Sequence, residues 1–239
     1  MVRRLAAVLG LLVAAQAYFL LAPELPIVSH DPDTAIILAC TVGSAFIFAC
    51  TACVAPVSDS PPLLVLLTAG ALGLVAGFNV ADFGAAATPI EAVGYAAFGA
   101  IFAVGLLTPS LALALPVVVA GVDAISLFAG GPSEMLANSG ITERGDPLSL
   151  EMPDWGTGLP AGRLGLSDAV FAGVFLVYAR RFGLRPIGTA LGLWVGAIAA
   201  IVLQVTTGEA MPALPLMAAG YFLANADRLP ALLRAASRG

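Results

Sequence analysis

The sequence predicts an all-α membrane protein, a polytopic helical bundle of about eight transmembrane helices. Three observations carry this expectation. Of the 239 residues, 60% are apolar, against roughly 45–50% in a soluble domain. Only 10% are charged, where about 25% is usual, and mean hydropathy is +1.00. The apolar residues fall in long continuous runs, as membrane helices require, and not in the short alternating runs of a membrane barrel. These figures exclude a soluble domain, a disordered chain and a nucleic-acid binder. At about 20 residues per span, eight spans leave little chain for any soluble domain.

The segments are read in order at about 5–22, 34–56, 63–80, 90–107, 110–128, 164–179, 187–205 and 211–225. Short stretches rich in Pro, Gly, Asp and Thr separate most of them, as chain breakers should. The first follows Arg3 and Arg4. A signal peptide cut after Ala15-Gln16-Ala17 is the competing reading, but the apolar run continues through Tyr18 to Ala22. An uncleaved first helix is preferred, because a cleavage site is normally followed by polar chain. The second segment holds Cys40, Cys50 and Cys53. Their C-x-x-C spacing is read as small apolar residues on a membrane helix, since no second pair exists to complete a zinc site. The single His30 is too little for a His-based metal site. Glu91, beside Pro89 at the edge of the fourth segment, is read as interfacial. Residues 1–108 thus hold four helices and 109–239 hold four more. The long loop 129–163 contains Glu134, Glu143, Arg144, Asp146, Glu151, Asp154 and Trp155, and is expected to be polar and solvated.

All ten basic residues are arginine, with 26 glycines and much alanine, which suggests a GC-rich bacterial genome and hence a bacterial cytoplasmic membrane. Placing Arg3 and Arg4 in the cytoplasm follows the rule that basic loops stay inside. Eight spans then return Arg228, Arg234 and Arg238 to the cytoplasm and put Arg180, Arg181 and Arg185 there too. Only Arg144 and Arg163 fall outside, while Glu24, Asp31, Asp33, Asp82 and Glu209 occupy outer loops. Both termini are expected to be cytoplasmic.

Two acids stand where apolar chain makes them costly. Asp123 interrupts the fifth segment and Asp168 begins the sixth. An ionisable residue inside a span costs about 2.5–3.5 kcal/mol or more and is a functional candidate by default. Each acid lies about five residues from the outer end of its segment, or roughly 7–8 Å deep. On sequential, antiparallel helices the two can meet, with Gly121 and Gly165 expected to permit close approach. Taken singly, Asp168 could cap the helix after Ser167, and Asp123 could serve a proton or cation path. Near the C-terminus, Pro212 and Pro215 flank Ala213 and Leu214. The residues between them are expected to stay non-helical at membrane depth; a simple proline helix start is the plainer alternative.

In this order the features resemble the presenilin and signal peptide peptidase family of intramembrane aspartyl proteases. Gly165-x-Ser167-Asp168 is similar to the family's G-x-G-D motif, Val122-Asp123 to its Tyr-Asp motif one helix earlier, and Pro212-Ala213-Leu214 to its P-A-L motif in the last helix. The resemblance covers roughly 110–225. Ser167 stands in place of Gly, Val122 in place of Tyr, and eight spans are read where the family has nine.

The resemblance implies hydrolysis of peptide bonds within transmembrane segments by an Asp123/Asp168 dyad. Two close carboxylates share a proton and titrate as a pair. The ionised member would activate water and the protonated one would bind the scissile carbonyl, with no metal or organic cofactor. Gly165, Ser167, Pro212, Ala213 and Leu214 are the implied substrate-binding residues, the last three as a backbone edge for an unwound substrate. With the loop between the Asp helices outside, the expected partners are membrane lipid and single-span substrates with a cytoplasmic N-terminus, such as remnant signal peptides. Two rival readings use the same acids: a proton- or cation-coupled transporter, and an inactive relative acting as a membrane chaperone or assembly partner.

Overall fold

A computed structural model describes residues 2–80, 84–129, 149–156 and 159–237. Asp82, Glu134, Glu143, Arg144, Asp146 and Arg238 of the sequence argument lie outside them. Nine α-helices and one two-stranded sheet form among the described residues. The helices are α1 (Val2–Leu21), α2 (Pro32–Ala52), α3 (Pro61–Val80), α4 (Thr88–Gly105) and α5 (Pro109–Phe128), then α6 (Leu166–Arg181), α7 (Pro186–Thr207), α8 (Ala213–Ala224) and α9 (Leu229–Ala236). Strands β1 (Ser149–Pro153) and β2 (Pro160–Gly165) stand between α5 and α6. Each of the eight expected segments coincides with one of α1–α8 to within a few residues. Five helical stretches, among them α5 and α7, are long and apolar enough to cross a membrane.

The starts are written locally. Proline opens α2, α3, α5 and α7, where its missing N–H costs nothing. Asp31 caps α2 by accepting the Thr34 N–H, and Thr108 caps α5 by accepting that of Leu111. The Thr34 hydroxyl and amide together hold the Asp31 carboxyl below its usual range. Gly208 ends α7 in the left-handed conformation, at φ +72°, which a Cβ would penalise.

Close packing comes from small residues, as is usual between membrane helices. A Cβ on Gly99 of α4 would collide with the Val170 carbonyl of α6, and one on Gly173 with that of Ala96. Gly192 and Gly196 of α7 are closed in the same way by the backbone of Gly220 and Leu216 on α8. Helix α6 is buried continuously from Ala172 to Ala179, so it is the centre of the bundle. By contrast Leu63, Val65 and Leu66 of α3, Val117, Val118 and Ile125 of α5, and Ile187 and Leu191 of α7 are exposed. Apolar faces this broad suit lipid and not water.

Proline also dictates one tertiary bond. Pro116 lies inside α5 and has no N–H for the carbonyl of Ala112, four residues earlier. The Tyr221 hydroxyl of α8 donates to that carbonyl at 3.2 Å. Buried Asn225 ties the other end of α8: its Nδ2 donates to Thr189 Oγ1 and its Oδ1 accepts the Arg185 N–H, each at 2.8 Å.

Three expectations are corrected. The segment after 148 is not a solvated loop: β1 is buried throughout, and Glu151 is 3% exposed because Arg163 pairs with it. Glu91 is buried, not interfacial, because α4 is enclosed by neighbours on most sides. Gly121 permits no helix approach, since nothing lies within 4 Å of its Cβ position. Beyond the eight expected segments, Leu229–Ala236 forms α9, which packs on α5 with Leu232 buried.

Candidate active site

The structure gathers the two acids in one cavity of about 510 Å³. Asp123 projects from the last two turns of α5 and is half-buried; Asp168 is 6% exposed. The helices that carry them scarcely touch. Helix α5 packs chiefly on α8, and α6 on α4. The acids share a cavity that the start of α8 also lines, through Pro212 and Ala213, and not through packing of their own helices on each other.

Asp168 stands in the first turn of α6, shallower along its helix than expected. The chain reaches it as strand β2, so the helix starts only at Leu166. Its Oδ2 accepts the Gly165 N–H at 2.9 Å. Asp168 is therefore not the N-cap, which is Gly165; from the third position of the helix its carboxylate accepts the N-cap N–H and faces the cavity at once. Gly165 and Ser167 also line the cavity. A Cβ on Gly165 would meet only the Ser167 hydroxyl and the Asp168 carboxylate, at 3.3 and 3.5 Å, so this glycine makes no close helix contact.

Asp123 is held from the opposite side. Its Oδ2 accepts the backbone N–H of Leu214 at 3.2 Å. The expectation of a non-helical Pro212–Leu214 segment is corrected here: Ala213 and Leu214 are the first residues of α8, and Pro212 is its N-cap. Pro215 does not break the helix, because the N–H groups of a first turn have no intrahelical partner to lose. The same lack of partners leaves the Leu214 N–H available to Asp123. The irregular backbone is Gly208–Pro212 instead, and Met211, Pro212 and Ala213 line the cavity. The Leu214 side chain is buried. Val122 points away: it is 61% exposed and lines no part of the cavity.

One wall is the hairpin. Strands β1 and β2 are antiparallel, with Glu151 opposite Arg163 and a bulge at Met152/Pro153. The Arg163 guanidinium binds Glu151 Oε1 at 2.9 Å. The Thr88 hydroxyl donates to the Glu151 carbonyl at 2.9 Å, and Trp155 Nε1 to the Tyr18 hydroxyl at 3.0 Å, so the hairpin is fastened to α4 and α1. All five residues from Ala161 to Gly165 line the cavity. Side chains alternate between the faces of a strand, so a consecutive run means that the edge of β2, not one face, borders the cavity. Among the described residues the sheet has two strands.

Sequence reasoning missed the hairpin and with it Arg163. The signals were short: prolines at both strand ends, Gly156 in the turn, and opposite charges at Glu151 and Arg163. Asp33 and Gln204 also reach the cavity, one from an N-cap turn and one from the end of α7, with nothing in their local sequence to mark them. Comparison of the chain with protein-family models, with curated proteins and with solved structures finds no match in any of the three.

Proposed function

We propose that this chain is an intramembrane aspartyl protease of the presenilin and signal peptide peptidase type. The observation that supports it most is that Asp123 and Asp168 line one cavity bordered by the edge of strand β2. A transporter site needs acids, but it needs no strand edge. A protease working on transmembrane helices needs both.

The chemistry follows from the groups present. A substrate helix hides its amides in its own hydrogen bonds and must unwind before attack. The unwound segment would lie along the edge of β2 that borders the cavity and exchange backbone bonds with it, a form of strand addition. This role passes to β2 from the Pro212–Leu214 segment, in which Ala213 and Leu214 are helical. The dyad holds one proton between two carboxylates. The ionised carboxylate takes a proton from water as that water attacks the scissile carbonyl carbon, while the protonated one donates to the carbonyl oxygen. The tetrahedral diol then collapses, the C–N bond breaks, and the leaving amine takes up a proton. Leu214 N–H and Gly165 N–H keep the two carboxylates oriented throughout.

Helices α1–α8 are taken as eight crossings, of which α6 and α8 are the shortest. The arginines then place both termini in the cytoplasm and the hairpin on the outer side. Substrates would be single-span segments with a cytoplasmic N-terminus, remnant signal peptides among them. The test is cleavage of such a peptide by purified protein in lipid, with and without an aspartyl transition-state inhibitor. Inhibited cleavage is expected. Proton-coupled flux without cleavage would support a transporter, and neither activity would support a chaperone-like relative.

A further inference from the structure

We propose that Arg185 and Arg228 form a binding site for the headgroup phosphate of an anionic phospholipid, at the end of the bundle where α6 passes into α7 and α8 into α9. The inference rests on the membrane reading of the chain and not on the protease reading.

One asparagine brings the two arginines together. Asn225 is fully buried. Its Oδ1 accepts the backbone N–H of Arg185, and its own carbonyl accepts that of Arg228, each at 2.8 Å. With the two backbones held in this way, the side chains converge. Arg185 Nη2 lies 2.8 Å and Arg228 Nε 3.4 Å from the same oxygen, Oδ2 of Asp227. Among the described residues Asp227 is the only acidic partner of either arginine. Two guanidiniums around one carboxylate leave the cluster positive. All three side chains are about half exposed. Ion pairs this exposed contribute little to stability, so a phosphate can draw the two guanidiniums from Asp227 without harm to the fold. A guanidinium is a planar fork of donors that matches phosphate oxygens in pairs.

The apolar surroundings identify the phosphate as part of a lipid. Ile187, two residues after Arg185, is 79% exposed; Leu223, five before Arg228, is 78% exposed. Helix α9 adds a third such group. Leu229, Leu232 and Leu233 share one side of it, and Arg234 stands on the other. Leu232 is buried against the bundle, while Leu233 remains exposed. A short helix with leucine on one side and arginine on the other lies along a membrane surface, and basic residues at the ends of membrane helices attract anionic headgroups. A free phosphate ion gains nothing from exposed leucine and isoleucine beside it, whereas an acyl chain does. The other arginine pair at this end is built differently. Arg180 and Arg181 take one oxygen each of Asp59, and Arg181 also donates to the Ser58 carbonyl at 2.9 Å. That pair fastens α6 to the link between α2 and α3, and it serves as the control.

The experiment titrates the full chain, in an uncharged detergent, with phosphatidylglycerol and with phosphatidylcholine, and counts bound lipids by native mass spectrometry. One phosphatidylglycerol is expected to bind about tenfold more tightly than phosphatidylcholine, with the difference shrinking as salt is raised. Arg185→Gln, Asp227→Asn and Arg228→Gln together remove three exposed charges without stranding one. This triple variant should bind the two lipids within about twofold of each other and melt at the temperature of the native chain when no lipid is added. Arg185→Lys with Arg228→Lys should keep part of the preference. The matched triple, Asp59→Asn with Arg180→Gln and Arg181→Gln, should keep all of it. A preference unchanged in the first triple variant overturns the site. An equal loss in the matched triple overturns it too, because the effect would then be one of overall charge. Inorganic phosphate that competes as well as phosphatidylglycerol at equal concentration would make this a free-anion site and overturn the lipid assignment.

Discussion

The amide N–H of Leu214 donates to Asp123 across 3.2 Å. This bond joins the first turn of α8 to the C-terminal half of α5, and the proline on each side of Ala213-Leu214 explains it. Pro212 starts the helix, and an N–H in a first turn has no intrahelical acceptor. The donor is thus left free for a carboxylate on a neighbouring helix.

Leu214→Ala and Leu214→Pro separate the side chain from the amide. Both lose a buried leucine, for a destabilisation of about 2–5 kcal/mol. Only Pro also loses the donor to Asp123, and a first-turn position tolerates it. The expected outcome is comparable thermal stability and a further fall in kcat of about tenfold or more for Leu214→Pro, in line with the loss of a charge-assisted hydrogen bond. Equal kcat values in the two variants would remove the bond from the mechanism.

The Tyr221 hydroxyl substitutes for the donor that Pro116 lacks. Tyr221→Phe leaves the Ala112 carbonyl buried without a partner and should cost about 1–3 kcal/mol. In a Pro116→Ala background an N–H is again available four residues along, so the same change should cost less than about half as much. A double-mutant cycle by unfolding in mixed micelles reads the coupling. Additive effects would show that the proline and the hydroxyl are unrelated.

Glycine substitutions should divide sharply. Gly99→Ala and Gly173→Ala place a Cβ against the backbone of the facing helix, and overpacking of this kind costs about 1–3 kcal/mol or more. Gly121→Ala, with open space around it, should be neutral or stabilise by about 0.5–1 kcal/mol through helix propensity. Melting temperatures in one detergent compare the three.

Gly165 presents a less obvious case. Its backbone is extended, at φ −64° and ψ 149°, and a Cβ would meet a rotatable Ser167 hydroxyl at 3.3 Å. Gly165→Ala should therefore keep activity within about threefold, since no left-handed conformation is required of it. A complete loss of cleavage in folded protein would mean that the substrate backbone passes closer to Gly165 than the empty cavity implies.

The helices were legible because their signal is long. Eighteen or more apolar residues cannot easily be anything else, and the breakers between them are prolines and glycines with known preferences. The two acids were legible because charge inside apolar chain is rare. Their joint placement was anticipated by an argument from helix order that the packing replaces: α5 lies on α8, and α6 on α4. The hairpin was not legible because β1 and β2 are five and six residues long, too short for a period to stand out. They also sit in a charged loop, which reads as solvent-exposed until Arg163 is seen to cover Glu151. The helical state of Ala213 and Leu214 was missed for a local reason. Proline is a helix breaker in the interior and a helix former in the first turn, and the sequence alone does not say which turn is first.

The central claim is that Asp123 and Asp168 together activate a water molecule against a peptide bond. Its most direct test is cleavage of a single-span peptide in H₂¹⁸O by the native chain, Asp123→Asn and Asp168→Asn, with the products weighed. The native chain is expected to give one new carboxyl terminus carrying a single ¹⁸O, and each variant no product above background. Product from either Asn variant at a rate near that of the native chain would contradict the dyad.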